Sequence, residues 1–509
     1  MLEHFDFLFF KETEPMIFTT PLFWGFFAFV MLVYQFIHTR IAARNFFLMV
    51  VSMYFYYKSG GWFFFLLVLS TVMDYQFGQI VHNATSDSRK KMIIVISTVV
   101  NLSLLAYFKY TYFFADIINY TFSTDLKPYD FAAAVVNDLF GTKFSIDNII
   151  LPVGISFYTF QSMSYVIDIY RGDLKPVQNI WDYAFFVSFF PQLVAGPIVR
   201  ASEFAHQMYE PYTLSKEEYG RAIFLIINGL VKKIFISDYI SANFVDRVFA
   251  EPLKYSGFEN LMAVYGYTIQ IYCDFSGYTD VAIGVALLMG FRLNLNFDSP
   301  YKAHNITDFW RRWHISLSTW LRDYLYISMG GNRKGRLRTY FNLFMTMFLG
   351  GLWHGASVRF IIWGALHGTA LALHKMFMEF VIKENPRNPR PMTIGHRIFY
   401  GIITFHFVAF CWIFFRAETM RQVGEMLSQI AYNFNAELIG QYILSYSNIF
   451  FVMLIGYITH WLPYSFKDEL RTTFVALPDL TKAIICVAVI VLLYQVRSAE
   501  VQPFIYFQF

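Results

Sequence analysis

The sequence predicts an all-α polytopic membrane protein. Hydrophobic residues make up 56% of the 509-residue chain and charged residues only 15%, against about 25% charged in ordinary soluble domains. The apolar residues gather in runs, many of them near the ~20 residues that a bilayer crossing needs, and the charges collect in the short loops between them. A net charge of +4 is too small to imply a nucleic-acid partner. Cys273, Cys411 and Cys486 sit inside apolar stretches with no CxxC spacing, so neither a metal site nor a disulfide framework is indicated. Glu3, Asp6, Glu12 and Glu14 precede the first run without a basic stretch, which argues against a cleavable signal peptide. No soluble domain of appreciable size fits between the runs, and the reading is one transmembrane domain over residues 1–509.

Taken in order, runs near 17–38, 46–57, 62–81 and 92–114 form the first spans, the second short and paired with its neighbour. Arg40, Arg44 and the Arg89-Lys90-Lys91 loop belong on the cytoplasmic side by the positive-inside rule, which puts the N-terminus outside. The acidic stretch 115–148 then reads as an outer loop. Ser156, Tyr158, Thr159, Gln161, Ser162 and Ser164 follow in one span, where they either bond between packed helices or line a polar cavity. The run 184–198 carries Pro191, Gly196 and Pro197 and is about half a crossing, so it reads as re-entrant or in-plane.

A helix is expected over 217–240. Asp274 and Asp280 lie in the next apolar run. A carboxylate there either lines a cavity or is buried in a pair with an arginine such as Arg292. Residues 291–332 are amphipathic and rich in arginine, too charged to span, and 302–338 is assigned to the cytoplasmic interface. The run 339–352 is short and dips in, opening a histidine region over 339–374. Spans recur near 357–380, 397–415, 448–464 and 480–496. The count is ten or eleven crossings plus several partial ones.

The chemistry centres on two histidines that each follow a tryptophan, Trp313-His314 and Trp353-His354. An ionisable ring in hydrocarbon is a functional candidate. His354 lies beside Gly350, Gly351 and Gly355, where backbone or ligand can approach closely. It is either a packing residue or a neutral general base. His314, in Trp310-Arg311-Arg312-Trp313-His314, either anchors an interfacial helix or steadies an acceptor or a developing oxyanion. Arg333, Lys334, Arg336 and Arg338 form either a plain positive-inside loop or a capture site for a phosphate-bearing donor or acidic carrier. His367, His374 and His406 read as structural or cavity residues. There is no GxSxG elbow, Walker A loop or HExxH pair. His304 and Asp308 stand one residue short of an HxxxxD pattern.

These residues carry a resemblance. Pro152-Val153-Gly154-Ile155-Ser156-Phe157-Tyr158, Phe190-Pro191-Gln192 with Gly196-Pro197, Asp274-Phe275-Ser276-Gly277-Tyr278, Asp308 to Ser316, Gly351-Leu352-Trp353-His354-Gly355 and Pro503-Phe504-Ile505-Tyr506-Phe507 resemble motifs of the membrane-bound O-acyltransferases, in their alginate O-acetylation branch. The resemblance implies tilted helices around a thinned centre with a tunnel. It matches His354 to the catalytic histidine and His314 to a second histidine motif. Arg333, Lys334, Arg336, Arg338, Trp353, Asp274 and Asn305 become the candidate substrate contacts, with no metal.

It further implies a bacterial inner-membrane protein with no resident cofactor. The donor is a cytoplasmic thioester, acetyl-CoA or an acyl carrier, and the acyl group passes to an extracytoplasmic polysaccharide through a lipase-like partner. A D-alanyl-type transfer from a carrier protein to a cell-wall polymer is the first alternative. A transporter or channel is the second, although no inverted repeat is seen.

Overall fold

A backbone in hydrocarbon must satisfy its own hydrogen bonds, and helices do this within one segment. The computed structural model, which describes residues 8–11, 14–194, 196–383, 392–496 and 504, is accordingly built from helices, with no strand among the described residues. Packing divides it into two compact units. One is mostly 26–211; the other is mostly 212–354 and 358–509.

In the first unit, helices Ile41–Gly60 and Phe64–Asn83 join through the single turn Gly61–Phe63 into one 43-residue apolar run. Asp74 is fully buried and accepts from Asn101 Nδ2 at 2.8 Å and from Ser70 and Ser97 hydroxyls at 3.4 Å. The helix Asp87–Phe122 has 36 residues, and Phe131–Phe140 is also helical. The acidic stretch 115–148 is therefore not a plain loop. Tyr107 and Ala133 N–H both bond to Asp130, which caps the second helix. In helix Ile155–Arg171 two of the polar side chains bond to backbone: Gln161 Nε2 donates to the Phe186 carbonyl at 3.0 Å and Ser164 to that of Gln161 at 2.7 Å. The half-length run breaks at Phe189 into Ile180–Ser188 and Phe190–Leu193.

The second unit is organised around the helix Gly257–Leu288, started by a Ser256/Glu259 capping box. Its most apolar window is 94% buried. A π-helical stretch Val231–Asp238 lies against it and supplies two lysines that make three ion pairs. Lys232 meets Asp280 at 2.8 Å, and Lys233 meets Asp274 at 2.5 Å and Asp238 at 2.7 Å. The carboxylates are thus paired with lysines; Arg292 goes to Glu218 instead, at 2.6 Å. Residues 302–338 form short helical pieces, Ile306–Arg312, Ile315–Trp320 and Leu321–Tyr326.

One sequence expectation is not confirmed and another is corrected. Among the described residues five helices are long and apolar enough to cross a membrane, or six if Ala436–Ser445 and Ser447–Trp461, bent by 87°, count as one span. Ten or eleven crossings are not confirmed, because several helices are short or too polar. Ile155–Arg171 has 17 residues and Lys216–Leu230 has 15. The run expected to start at 339 instead belongs to a 19-residue helix, Arg336–His354, whose first turn includes two arginines. Of the N-terminal acidic residues, Glu3, Asp6 and Glu12 lie outside the described residues, as do Pro503, Ile505, Tyr506 and Phe507. Phe504 is buried, its ring 5.4 Å from Phe275 and 4.7 Å from Tyr278.

Candidate functional site

His354 is the last residue of helix Arg336–His354, which lies back to back with helix Val358–Phe377. Glycines permit the approach. A Cβ on Gly351 would stand 2.3 Å from the Phe360 carbonyl oxygen, and one on Gly364 would stand 2.5 Å from that of Met347. This contact sets where the helix delivers its C-terminal histidine.

His354 is buried, 4% exposed. Three aromatic rings surround it at steep angles: Trp353 and Trp363, each 5.0 Å between centroids, and Phe415 at 5.3 Å. Phe415 comes from the end of helix Ile394–Arg416. Behind this wall His367 accepts from Trp310 Nε1 at 3.3 Å and packs on Trp363 at 4.7 Å. Trp412 stacks on Trp363 at 6.0 Å and touches Trp313 at 4.9 Å.

His314 precedes helix Ile315–Trp320 with φ +44°, in the left-handed region. Few non-glycine residues go there, and histidine is among the more tolerant. The segment around it is held by Asn296, which is buried. The Asn296 carbonyl accepts from Ile315 N–H at 2.9 Å, and its side-chain oxygen accepts from Ser316 N–H at 3.1 Å and Ser316 Oγ at 2.9 Å. The His314 ring is fully buried, 4.6 Å from Phe275 and 6.5 Å from Trp353. Burial pushes its pKa down to about 3, so the imidazole is neutral at working pH. Trp353 therefore neighbours both histidines, 5.0 Å from His354 and 6.5 Å from His314.

A family model described as MBOAT, membrane-bound O-acyltransferase family, matches residues 174–415. The probable alginate O-acetylase of Pseudomonas putida is 38% identical over 444 residues, which cover 82% of this chain and 84% of that protein. The chain belongs to the membrane-bound O-acyltransferase family. The probable alginate O-acetylase of Pseudomonas syringae is 44% identical over 65% of this chain, but the match spans only 59% of that relative's length. The peptidoglycan O-acetyltransferase of Helicobacter pylori is 36% identical over 70% of this chain and 68% of its own.

The part of the chain matched by the family model holds every candidate site residue, but the structure does not bring them all together. Trp353 joins the two histidines. Asn305 caps helix Ile306–Arg312, its side-chain oxygen accepting from Asp308 N–H at 2.8 Å. Asp274 is tied to Lys233, although its neighbour Phe275 reaches His314. Arg333 and Lys334, in the turn before the histidine helix, and Arg336 and Arg338, in its first turn, are exposed. There Arg336 lies 3.8 Å from Glu379 and over the Phe380 ring.

Sequence reasoning passed over Trp363, Phe415 and Asn296. Trp363 had a signal, since Trp363 and His367 are one helical turn apart on one face. Phe415 and Asn296 had none, because each meets its partner across a long stretch of chain.

Proposed function

We propose that this chain moves an acyl group, acetyl by preference, from a cytoplasmic thioester to a hydroxyl, for O-acylation of an extracytoplasmic polysaccharide. The observation that carries this reading is the placement of His354. Its ring closes a helix, is boxed by three aromatic side chains, and shares Trp353 with a second, neutral imidazole.

In this reading His354 takes the proton of the acceptor hydroxyl as its oxygen attacks the thioester carbonyl. The tetrahedral intermediate collapses, the carbon–sulfur bond breaks, and the thiolate recovers the proton from the imidazolium. An ester and a free thiol result. A cation at a helix C-terminus is favoured by the helix dipole, and aromatic walls also stabilise a cation, so both features ease the charged intermediate state. His314 steadies the acceptor or the oxyanion. A histidine only 4% exposed is reached by substrate when one of its aromatic walls swings aside.

The names of the relatives concern alginate and peptidoglycan, which supports a polysaccharide acceptor here. We place the chain in a bacterial inner membrane with its N-terminus outside, the donor loop at Arg333–Arg338 inside, and a lipase-like partner receiving the acyl group outside.

The test uses the full chain in proteoliposomes with labelled acetyl-CoA and a polysaccharide acceptor, with and without the partner. Label should move to partner or polymer, and His354→Ala should abolish transfer while leaving yield and melting temperature unchanged. Transfer retained by His354→Ala removes the histidine from the mechanism. Label that moves only after an acyl carrier protein is added converts the donor to a carrier. Solute flux without label transfer makes the chain a transporter.

A further inference from the structure

Phe415 is one of three walls around His354, and the end of the helix that carries it is tied down on two sides. On one side Arg416 Nη2 donates to Asp246 Oδ1 at 2.6 Å, with the arginine side chain 13% exposed and the aspartate 35%. The guanidinium also lies 5.6 Å from the centre of the Phe249 ring. The other Asp246 oxygen accepts from Ser241 Oγ at 2.6 Å, and Ser241 accepts from Gln270 Nε2 on helix Gly257–Leu288 at 2.9 Å. The tie thus runs from the end of one helix into the central helix of the unit.

On the other side Arg359, near the start of helix Val358–Phe377, donates through Nη1 to the carbonyl oxygens of Ala417 and, at 3.4 Å, Phe414. The last carbonyls of a helix lack intrahelical partners, and a cation there also meets the negative end of the dipole. Arg359 stands one turn before Trp363, the second wall of the His354 box, so its bonds also set where Trp363 stands. Phe415 sits between these ties, 5.0 Å from Phe360 and 5.4 Å from Trp363.

We propose that Asp246, Arg416 and Arg359 form a positioning clamp that holds Phe415 and Trp363 against the reactive imidazole, an inference that rests on the reading of His354 as proton acceptor. None of the three acts on substrate. Each acts through an aromatic wall, so their loss displaces the walls and misaligns His354 without removing a substrate contact.

The experiment compares Arg416→Gln, Asp246→Asn, their double variant and Arg416→Lys in the full chain in proteoliposomes. It has two readouts. One is the kcat and KM for labelled acetyl-CoA. The other is the rate at which diethyl pyrocarbonate modifies His354, followed by mass spectrometry and independent of turnover.

Each single variant should lower kcat about tenfold or more with KM unchanged within about twofold. Each should also speed modification of His354. The double variant should be no worse than the weaker single, because both break one interaction. Arg416→Lys, which keeps the charge, should stay within about threefold of the native chain. The clamp is overturned if Arg416→Lys falls as far as Arg416→Gln, or if the two single losses multiply in the double variant. It is also overturned if His354 is modified at the native rate while activity falls only with the amount of folded protein. If the native chain transfers no acetyl group, the proposed reaction fails, and the modification rates still read the clamp by themselves.

Discussion

Gly351 lies against Gly364 across the two helices that carry His354 and Trp363, so closely that a Cβ on Gly351 would stand 2.9 Å from the Gly364 Cα. The same Cβ would meet the backbone oxygen of Phe360 at 2.3 Å, and backbone cannot swing away. Gly350, one residue earlier, faces only the tip of the Leu321 side chain, at 3.2 Å. Gly351→Ala should therefore push the helices apart, with a cost of about 1–3 kcal/mol and a loss of transfer that exceeds the loss of folded protein. Gly350→Ala should leave the melting temperature and activity near native. Thermal unfolding in detergent and a transfer assay on the two variants check the contrast.

The backbone at His314 yields a second prediction. A β-branched residue at φ +44° is strained far more than asparagine, which tolerates the left-handed region. His314→Asn should fold to native yield with reduced transfer, because only the ring is lost. His314→Val should lose folded protein as well, by roughly 1–3 kcal/mol. Equal yields of the two variants would show that the left-handed turn is not held in the folded chain.

Acid gives a third. Burial lowers the His314 pKa to about 3, whereas an unfolded histidine titrates near 6.5. Between those values the unfolded chain binds the extra proton, so this residue's contribution to stability is constant above about pH 6.5 and falls as pH drops below it, by at most about 1.4 kcal/mol per unit. The melting temperature of the native chain should thus fall more steeply between pH 6.5 and 5 than that of His314→Asn. Parallel curves would place the ring in contact with water.

How much of this was legible in the sequence depends on distance along the chain. Helical character and the Trp313-His314 and Trp353-His354 pairs could be read directly, because they rest on local composition. The number of crossings was harder to read, because an apolar run does not say how long its helix is: Ile155–Arg171 has 17 residues and Lys216–Leu230 has 15, short of the ~20 a crossing needs. The histidine helix was read too short because Arg336 and Arg338 look like loop, although they occupy its first turn. Asn305 three residues before Asp308 is the pattern of a helix N-cap, and its oxygen is spent there. Convergence of Phe415 and Trp363 on His354 has no spacing rule behind it, since it depends on how three helices pack.

The exposed basic stretch from Arg333 to Arg338 leads to a fourth prediction. Its charges face solvent, so they act on an anionic donor mainly through long-range attraction, which salt screens. Replacing Arg333, Lys334 and Arg338 together by Gln should raise KM for acetyl-CoA several-fold, leave kcat unchanged, and flatten the dependence of kcat/KM on ionic strength. A fall in kcat at constant KM would remove the loop from donor capture.

Asp274 separates two roles by where the damage falls. Lys233 bridges it and Asp238 at 2.5 and 2.7 Å, with the Lys233 and Asp274 side chains about 5% and 4% exposed. Removing one member of a buried pair leaves the other charge uncompensated, which typically costs about 3–5 kcal/mol. Lys233→Met removes the cation that Asp274 and Asp238 share and should be the most damaging single change, seen as loss of extractable folded protein. Asp274→Asn leaves Lys233 paired with Asp238 and should be milder, lowering the melting temperature with KM unchanged. If Asp274 instead contacts substrate, Asp274→Asn will raise KM at native melting temperature. Measuring both quantities on one purified variant decides between an ion pair that holds the central helix and a carboxylate that meets the acceptor.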